Sequence, residues 1–402
     1  MYDVIIVGAR VAGSATALLL ARRGVKVLVV DRATFPSDTL STHQVQLPGV
    51  SRLARWGVLD EILAAGTPVT RHVRFQQTGA EGDTVSFVGT VGEADGVDFT
   101  CCPRRTLLDR VLVDAARAAG AEVWDSAVVE QVSTRDGRVV GIAGQRKGGA
   151  AFAETATLVV GADGKHSLVA KTVAAPEYRT HPARSMACYT YWENVETSGG
   201  EVYGAPGRAL GIWPTNDGRV VTYLGWPAAR FGELRGDLEA AMTSTLDSFG
   251  LTERFAAATR VEPVRATPDL PNHFRRPYGP GWALVGDAGL VLDPVTGLGI
   301  SDALRDAELL ADAIGSGDFD GYQKARDKAA RPMYDFTVRL AQMRASTPGE
   351  LRMFQALADS PADADMFVGV LTGAVPLRSF MSPGYLIRLV GVGGFMRLAM
   401  SR

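Results

Sequence analysis

Cysteine is scarce in this chain of 402 residues: Cys101 and Cys102 are adjacent and Cys188 is distant. Two neighbouring thiols and one remote one exclude a disulfide framework and a tetrahedral metal centre. They read as buried small hydrophobes of a protein kept in a reducing compartment, so a cytoplasmic location is expected. The five histidines, His43, His72, His166, His181 and His273, contain no pair at metal-ligand spacing, and no metal is expected. Neither charge is in surplus: 42 Lys and Arg face 44 Asp and Glu, a net charge of -2, with no basic run to hold a nucleic acid. No apolar run approaches the ~20 residues needed to span a bilayer. Met366 to Pro376 is too short, and Tyr385 to Met400 is interrupted by Arg388 and Arg397 and reads as a packing helix, so membrane contact is not expected. The N-terminus has no basic region or cleavage site and is not read as a signal peptide. No Gly-x-Ser-x-Gly elbow occurs, which argues against a serine hydrolase.

What is present begins at once. Asp3 to Val7 is a β-branched apolar run, a buried strand. Gly8-Ala9-Arg10-Val11-Ala12-Gly13-Ser14 follows, then an Ala- and Leu-rich helix from Ala15 to Arg23, stopped by Gly24. Val25 to Val30 is a second buried strand ending at Asp31. In such a βαβ unit Gly8 permits the tight turn and Gly13 lets the helix approach the sheet. The helix N-terminus then offers free amides and a positive dipole end to a pyrophosphate, and Asp31 can accept from ribose hydroxyls. Arg10 stands where the middle glycine is usual. Its side chain would crowd a pyrophosphate unless it turns outward or pairs with it.

Two further strand ends carry similar chemistry. Leu158-Val159-Val160-Gly161-Ala162-Asp163-Gly164 closes in a tight turn. Trp282 to Val285 ends in Gly286-Asp287, and after Asp293-Pro294-Val295-Thr296-Gly297-Leu298-Gly299 a long amphipathic helix begins near Ile300. In this order and at these distances, the three elements resemble the FAD-dependent monooxygenases related to para-hydroxybenzoate hydroxylase. These are the single-component aromatic hydroxylases, with geranylgeranyl reductase-like relatives, and the resemblance covers about residues 1 to 315.

The resemblance implies an α/β fold: a Rossmann-like FAD-binding domain, a mixed β-sheet substrate domain and a helical C-terminal region. The expected division is 1–70, 98–182 and 265–315 for FAD, 71–97 and 183–264 for substrate, and 316–402 for the helical region. It also implies roles. Gly8, Gly13 and Asp31 would hold the adenosine half of FAD, and Val11, Ala12 and Arg32 would also bind the cofactor. Arg105 would lie near the flavin chain, and Gly286 and Asp287 beside ribityl or pyrophosphate oxygens. Pro294, Gly297, Leu298 and Gly299 would border the isoalloxazine ring. Asp163 and Gly164 would serve both FAD and a passing NAD(P)H, and Thr42 and His43 lie in a loop returning to the cofactor. Besides Arg10, one position departs from the family: Gly289 stands where many members have His.

Between residues 184 and 226 the pattern changes to alternation and an Asp-Gly hairpin turn at Asp217-Gly218. Tyr189, Tyr191, Trp213 and Tyr223 are the candidate substrate-pocket residues. Which of them face inward stays open, because a slip of one residue reverses every face. His43, the histidine nearest a cofactor loop, is the candidate catalytic residue, able to deprotonate a phenol or to orient the ring. The activity implied is NAD(P)H- and O2-dependent hydroxylation of a small, aromatic, secondary-metabolite-like substrate through a flavin C4a-hydroperoxide, by a monomer or homodimer. Two alternatives stand on the same fold: a flavin-dependent alkene reductase of the geranylgeranyl type, and a non-catalytic FAD-binding protein. Flavin halogenases use a lysine beyond the glycine fingerprint and a Trp-x-Trp-x-Ile motif. Here Lys26 is the only lysine before Lys147 and no such Trp motif occurs.

Overall fold

Strict alternation along the first strand decides how the core divides. In β1 (Tyr2–Val7), Val4 and Ile6 point to one side and Ile5 and Val7 to the other, and all four are buried. The computed structural model describes residues 1–41 and 43–400. After β1 come α1 (Val11–Ala21), β2 (Val27–Val30), β3 (His72–Thr78), β4 (Thr84–Thr90), α2 (Arg105–Ala118), β5 (Glu122–Trp124), β6 (Ala127–Arg135), β7 (Arg138–Arg146) and β8 (Ala151–Gly161). Then follow β9 (Ser185–Glu193), β10 (Gly200–Ala205), β11 (Arg208–Pro214), β12 (Val220–Pro227) and β13 (Trp282–Leu284). The chain ends in helices α3 (Gly299–Ser316), α4 (Phe319–Leu340), α5 (Pro348–Ala358), α6 (Pro361–Thr372) and α7 (Pro383–Met400).

Strands β13, β8, β1, β2 and β5 form a parallel sheet in that order. Helices α1, α2 and α3 cover one face, where Leu18, Leu20, Leu108 and Leu304 are buried together. On the other face β6 and β7 fold back antiparallel from β8, burying Val132 and Ile142 against Ile5 and Leu28. Val7 pairs with Gly161 and Gly161 with Leu284, so the carboxyl ends of β1, β8 and β13 lie side by side. The turns that follow them therefore share one edge of the sheet, where ligands bind in open α/β folds.

A second sheet runs β9, β12, β11, β10, β3, β4, antiparallel except for the parallel pair β10–β3. Residues 265–267, expected with the FAD-binding segments, pair instead with Ala187 to Tyr189 on β9. At its β3–β4 end the sheet stacks Phe75 and Phe87 against Phe354 and Phe367 of α5 and α6. Among the described residues no helix is long and apolar enough to cross a membrane.

Two glycines at the first turn have no substitute. Gly8 has φ +103°, and a Cβ on it would meet the Ala162 carbonyl oxygen at 2.4 Å. A Cβ on Gly13 would lie 1.8 Å from the Gly8 carbonyl oxygen. Gly13→Ala should therefore push α1 off the sheet edge and destabilise the protein by ~1–3 kcal/mol, the usual cost of overpacking. The thermal midpoint and the ratio of flavin to protein absorbance should both fall; an unchanged pair of values would show that the edge can yield.

Candidate active site

The three turns form the walls of a crevice. Helix α1 begins without a side-chain cap at Arg10, leaving its first amides open at the crevice. Asp31 closes the turn from the neighbouring strand: its carboxylate accepts from Ala9 N–H at 2.6 Å and from Ala33 N–H at 2.7 Å. The Arg10 side chain does not crowd this turn. Its guanidinium swings outward to donate to Asp109 at 2.6 Å and to the Asp38 carbonyl at 3.1 Å. Arg105, one helical turn before Asp109 on α2, donates to both oxygens of the same carboxylate at 2.9 and 3.0 Å. Asp109 is fully buried and shared by two guanidiniums, so the cluster keeps one net positive charge beside the α1 N-terminus.

Across the crevice, Gly286 (φ +59°) lies so close to α1 that a Cβ would meet Ala12 at 2.7 Å. The Asp287 side chain is exposed within the crevice. The surrounding protein displaces part of its hydration and pushes its pKa upward, opposed by the charges of Arg105 and Lys165. Position 289, the second departure from the family, faces α4 and not the crevice: a Cβ there would come within 3.1 Å of the buried Arg326 guanidinium. Gly297 (φ +63°) closes the turn opened by Pro294, and buried Leu298 leads into α3. Gly299, the first residue of α3, is exposed with open space around it.

Against this turn packs the loop 43–46. Gln46 N–H donates to Ser301 Oγ at 2.9 Å and its side-chain amide donates to the Thr296 carbonyl at 3.2 Å. Both amide atoms of Gln44 and the Oε1 of Gln46 are buried without a protein partner, beside Gly297. Asp163 behaves differently from Asp287. Its carboxylate is turned into the chain, accepting from Leu168 N–H at 2.7 Å, while Gly164 (φ +79°) makes the turn. Val11 is buried, Arg32 is exposed, and Thr42 lies outside the described residues.

The register of the second sheet decides the question of faces. Tyr189 is opposite Tyr223, and Tyr191 and Trp213 are both opposite Val221. All four candidate aromatics therefore stand on one face. Cys188 and Leu224 point the other way, into the core formed with Met242 and Leu246. The tyrosine face closes on two loops. Tyr189 Oη donates to the Thr39 carbonyl at 3.1 Å, and Tyr223 packs with Val295. The Tyr223 hydroxyl is buried without a hydrogen-bond partner. Trp213 leans over Gly200 and joins the wall to the C-terminal helices.

His43 (φ +61°) is wholly buried at the junction. Its Nδ1 lies 2.8 Å from the Ser41 carbonyl, which can only accept, so Nδ1 carries the proton. Nε2 then accepts from the Tyr191 hydroxyl at 2.6 Å. Burial lowers the imidazole pKa; Asp38, 3.8 Å from Nε2, opposes this without prevailing, so the ring is neutral near pH 7. Burial also raises the phenols, Tyr191 far above its ordinary value and Tyr189 to about 12. The Arg104 guanidinium lies 3.9 Å from the Tyr191 ring centre and pairs with Glu262 at 2.5 Å and Asp38 at 3.6 Å. Of these neighbours, only Arg105 with Asp109 has a local signature, an i, i+4 pair. Arg104, Asp38, Gln44 and Gln46 carry no motif.

The arrangement fits a flavin dinucleotide. Backbone approaches where no side chain fits, at Gly8, Gly13 and Gly286, the Arg10–Asp109–Arg105 cluster could face phosphates, and the unpaired Gln44 amide could meet a heteroaromatic ring edge. No group of three or more His, Cys, Asp or Glu that could hold a metal ion occurs among the described residues.

A family model described as an FAD binding domain matches residues 1–317. Digeranylgeranylglycerophospholipid reductase 2 of Methanothermobacter thermautotrophicus is 30% identical over 336 residues, covering 80% of this chain and 80% of that protein. A solved flavin-dependent brominase superposes with a TM-score of 0.75 at 19% identity, covering 100% of both chains. A solved protein from Pseudomonas aeruginosa, described as a probable FAD-dependent monooxygenase, gives a TM-score of 0.69 at 19% identity, covering 93% of this chain and 100% of its own. At such identities the structural likenesses establish the fold alone.

Asp293, between the crevice and the tyrosine wall, accepts from Ser185 Oγ at 2.6 Å, and burial pushes its pKa up to about 6. Its folded value lies above the unfolded one. Its contribution is therefore intact below pH ~4 and is lost as pH rises through ~6, a loss of about 2–3 kcal/mol. Asn removes the charge while its Oδ1 still accepts from Val295 N–H and its Nδ2 can donate to Ser185 Oγ, which turns from donor to acceptor. Asp293→Asn should leave stability near pH 4 similar and gain on the parent protein up to pH 6 and beyond. Thermal midpoints of both proteins across that range test this; a constant gap would refute the raised carboxyl.

Proposed function

This chain belongs to the FAD binding domain family and is an FAD-dependent oxidoreductase; from that premise we propose that it is an NAD(P)H-dependent monooxygenase of a small hydroxylated aromatic substrate. Gly8, Val11, Ala12, Gly13, Asp31, Arg32 and Arg105 hold the dinucleotide half of FAD. Gly286 and Asp287 meet its central oxygens, and Pro294, Gly297, Leu298 and Gly299 border its ring. Asp163 and Gly164 shape the turn beside which NAD(P)H visits. Bound FAD, reduced by NAD(P)H, supplies the activation of O2.

One observation carries the substrate reading: three tyrosines of a single sheet face close on both loops that border the ring site, with a neutral imidazole hydrogen-bonded to one of them. Tyr189 and Tyr223 offer ring faces to an aromatic substrate and exclude water around it. At Tyr191 a proton can move in two linked steps. The Tyr191 oxygen takes the proton of a substrate phenol as its own passes to His43 Nε2. Such deprotonation makes the substrate ring richer in electrons at the position to be hydroxylated.

A second reading, flavin-dependent reduction of an alkene, draws support from the 30% identical phospholipid reductase. Oxygen separates the two. Under the monooxygenase reading, a phenolic substrate stimulates NAD(P)H oxidation with matching O2 uptake, and anaerobic product is absent; anaerobic product at full rate would replace it with the reductase reading. Tyr191→Phe should bind FAD normally yet lower kcat on a phenol by ~10²-fold, the lower range of general acid–base effects. An unchanged kcat would remove Tyr191 and His43 from the reaction.

A further inference from the structure

Helix α7 is apolar on both of its faces. Gly391 (φ +71°) breaks it into two segments. Inward, Leu386 is buried and Leu389 packs on the aromatic cluster of α5 and α6. Leu398 lies against Gly349 of α5. Outward stand Ile387, Val392 and Met396, 36%, 60% and 53% exposed. They are three of the nine large hydrophobics exposed in the described chain, gathered within ten residues. A helix apolar all round calls for cover on its outer side.

The C-terminal stretch that contains this face carries positive charge. After Asp365 the sequence contains Arg378, Arg388, Arg397 and Arg402 and no Asp or Glu. Arg378, Arg388 and Arg397 are exposed. Arg388 also pairs with Asp363 of α6. Exposed apolar side chains flanked by arginines complement a surface of hydrocarbon topped by anionic headgroups, and a broken helix can lie flat on it.

We infer that α7 docks the enzyme on anionic membrane surfaces, with Ile387, Val392 and Met396 inserted at the headgroup boundary and the arginines over phosphates. The inferred contact departs from the expectation, drawn from hydropathy, of no membrane contact. The mode is peripheral.

Co-sedimentation of the FAD-loaded protein with vesicles tests the inference without any substrate. Binding to phosphatidylglycerol vesicles should exceed binding to phosphatidylcholine vesicles by about tenfold and weaken with added salt. The variant I387D/V392D/M396D, and V392D alone as the milder change, should lose it while keeping FAD and thermal midpoint. Equal recovery of parent and triple variant on phosphatidylglycerol would overturn the inference. So would a parent that does not bind vesicles but forms a dimer in sedimentation velocity that the variant cannot, since the face would then be covered by a second copy.

Discussion

The parallel register of β1, β8 and β13 is the constraint on which the rest of this structure depends. Because Val7, Gly161 and Leu284 are neighbours, three chain segments separated by more than a hundred residues turn at one edge. Each turn presses on another: Gly8 on Ala162, and Gly286 on the first turn of α1. A side chain is excluded by the Ala162 backbone at Gly8 and by the Ala12 Cβ at Gly286, so both positions demand glycine. The same exclusion leaves bare amides facing a common space, and a helix dipole adds its positive end. Cofactor recognition in this fold is thus a by-product of strand order.

Arg10 shows how that edge tolerates a departure. A long cationic side chain at the turn would obstruct a pyrophosphate if it lay along the crevice. Instead Asp109 draws it outward, and the same carboxylate holds Arg105. Two guanidiniums sharing one carboxylate leave a positive surplus that a phosphate can complete. Arg10 also grips the Asp38 carbonyl, and Asp38 in turn faces Arg104 and His43. Residues 37–41 and 43–46 are therefore held from the dinucleotide end and from the tyrosine wall at once, a physical link between the two halves of the site.

Much of this was legible in the sequence, and what was not has a common cause. The strand-turn-helix units at Gly8, Asp163 and Gly286 are written in contiguous residues, where β-branched runs, glycines and periodicity are local signals. The hairpin at Asp217-Gly218 is local in the same sense. The facing of Tyr189, Tyr191, Trp213 and Tyr223 was open because strand parity has no sign until a partner strand supplies one. Arg104 finds Glu262 about 160 residues away and Asn216 about 110 away, separations that no spacing rule encodes. Gln44 and Gln46 passed unnoticed because amides have no motif; only their burial without partners distinguishes them. Residues 265–267 pair with the edge of β9, a contact with residues about eighty positions earlier that no local signal announces.

The tyrosine wall also bears on the choice of reaction. An isoprenoid chain needs a lining that makes no polar demand, since every unpaired hydroxyl facing hydrocarbon costs about 1–3 kcal/mol. Here Tyr223 keeps its hydroxyl buried and unpaired, and Gln44 keeps an entire amide so. Ligand atoms that donate and accept would relieve that cost, and a ring bearing oxygen offers both together with a face for stacking. His43 contributes in the same direction. A fully buried imidazole is held neutral, with its proton fixed on Nδ1 by the Ser41 carbonyl, so that its remaining lone pair is directed at one phenol, Tyr191. An alkene has no acidic proton for such a pair to accept, whereas a phenol does.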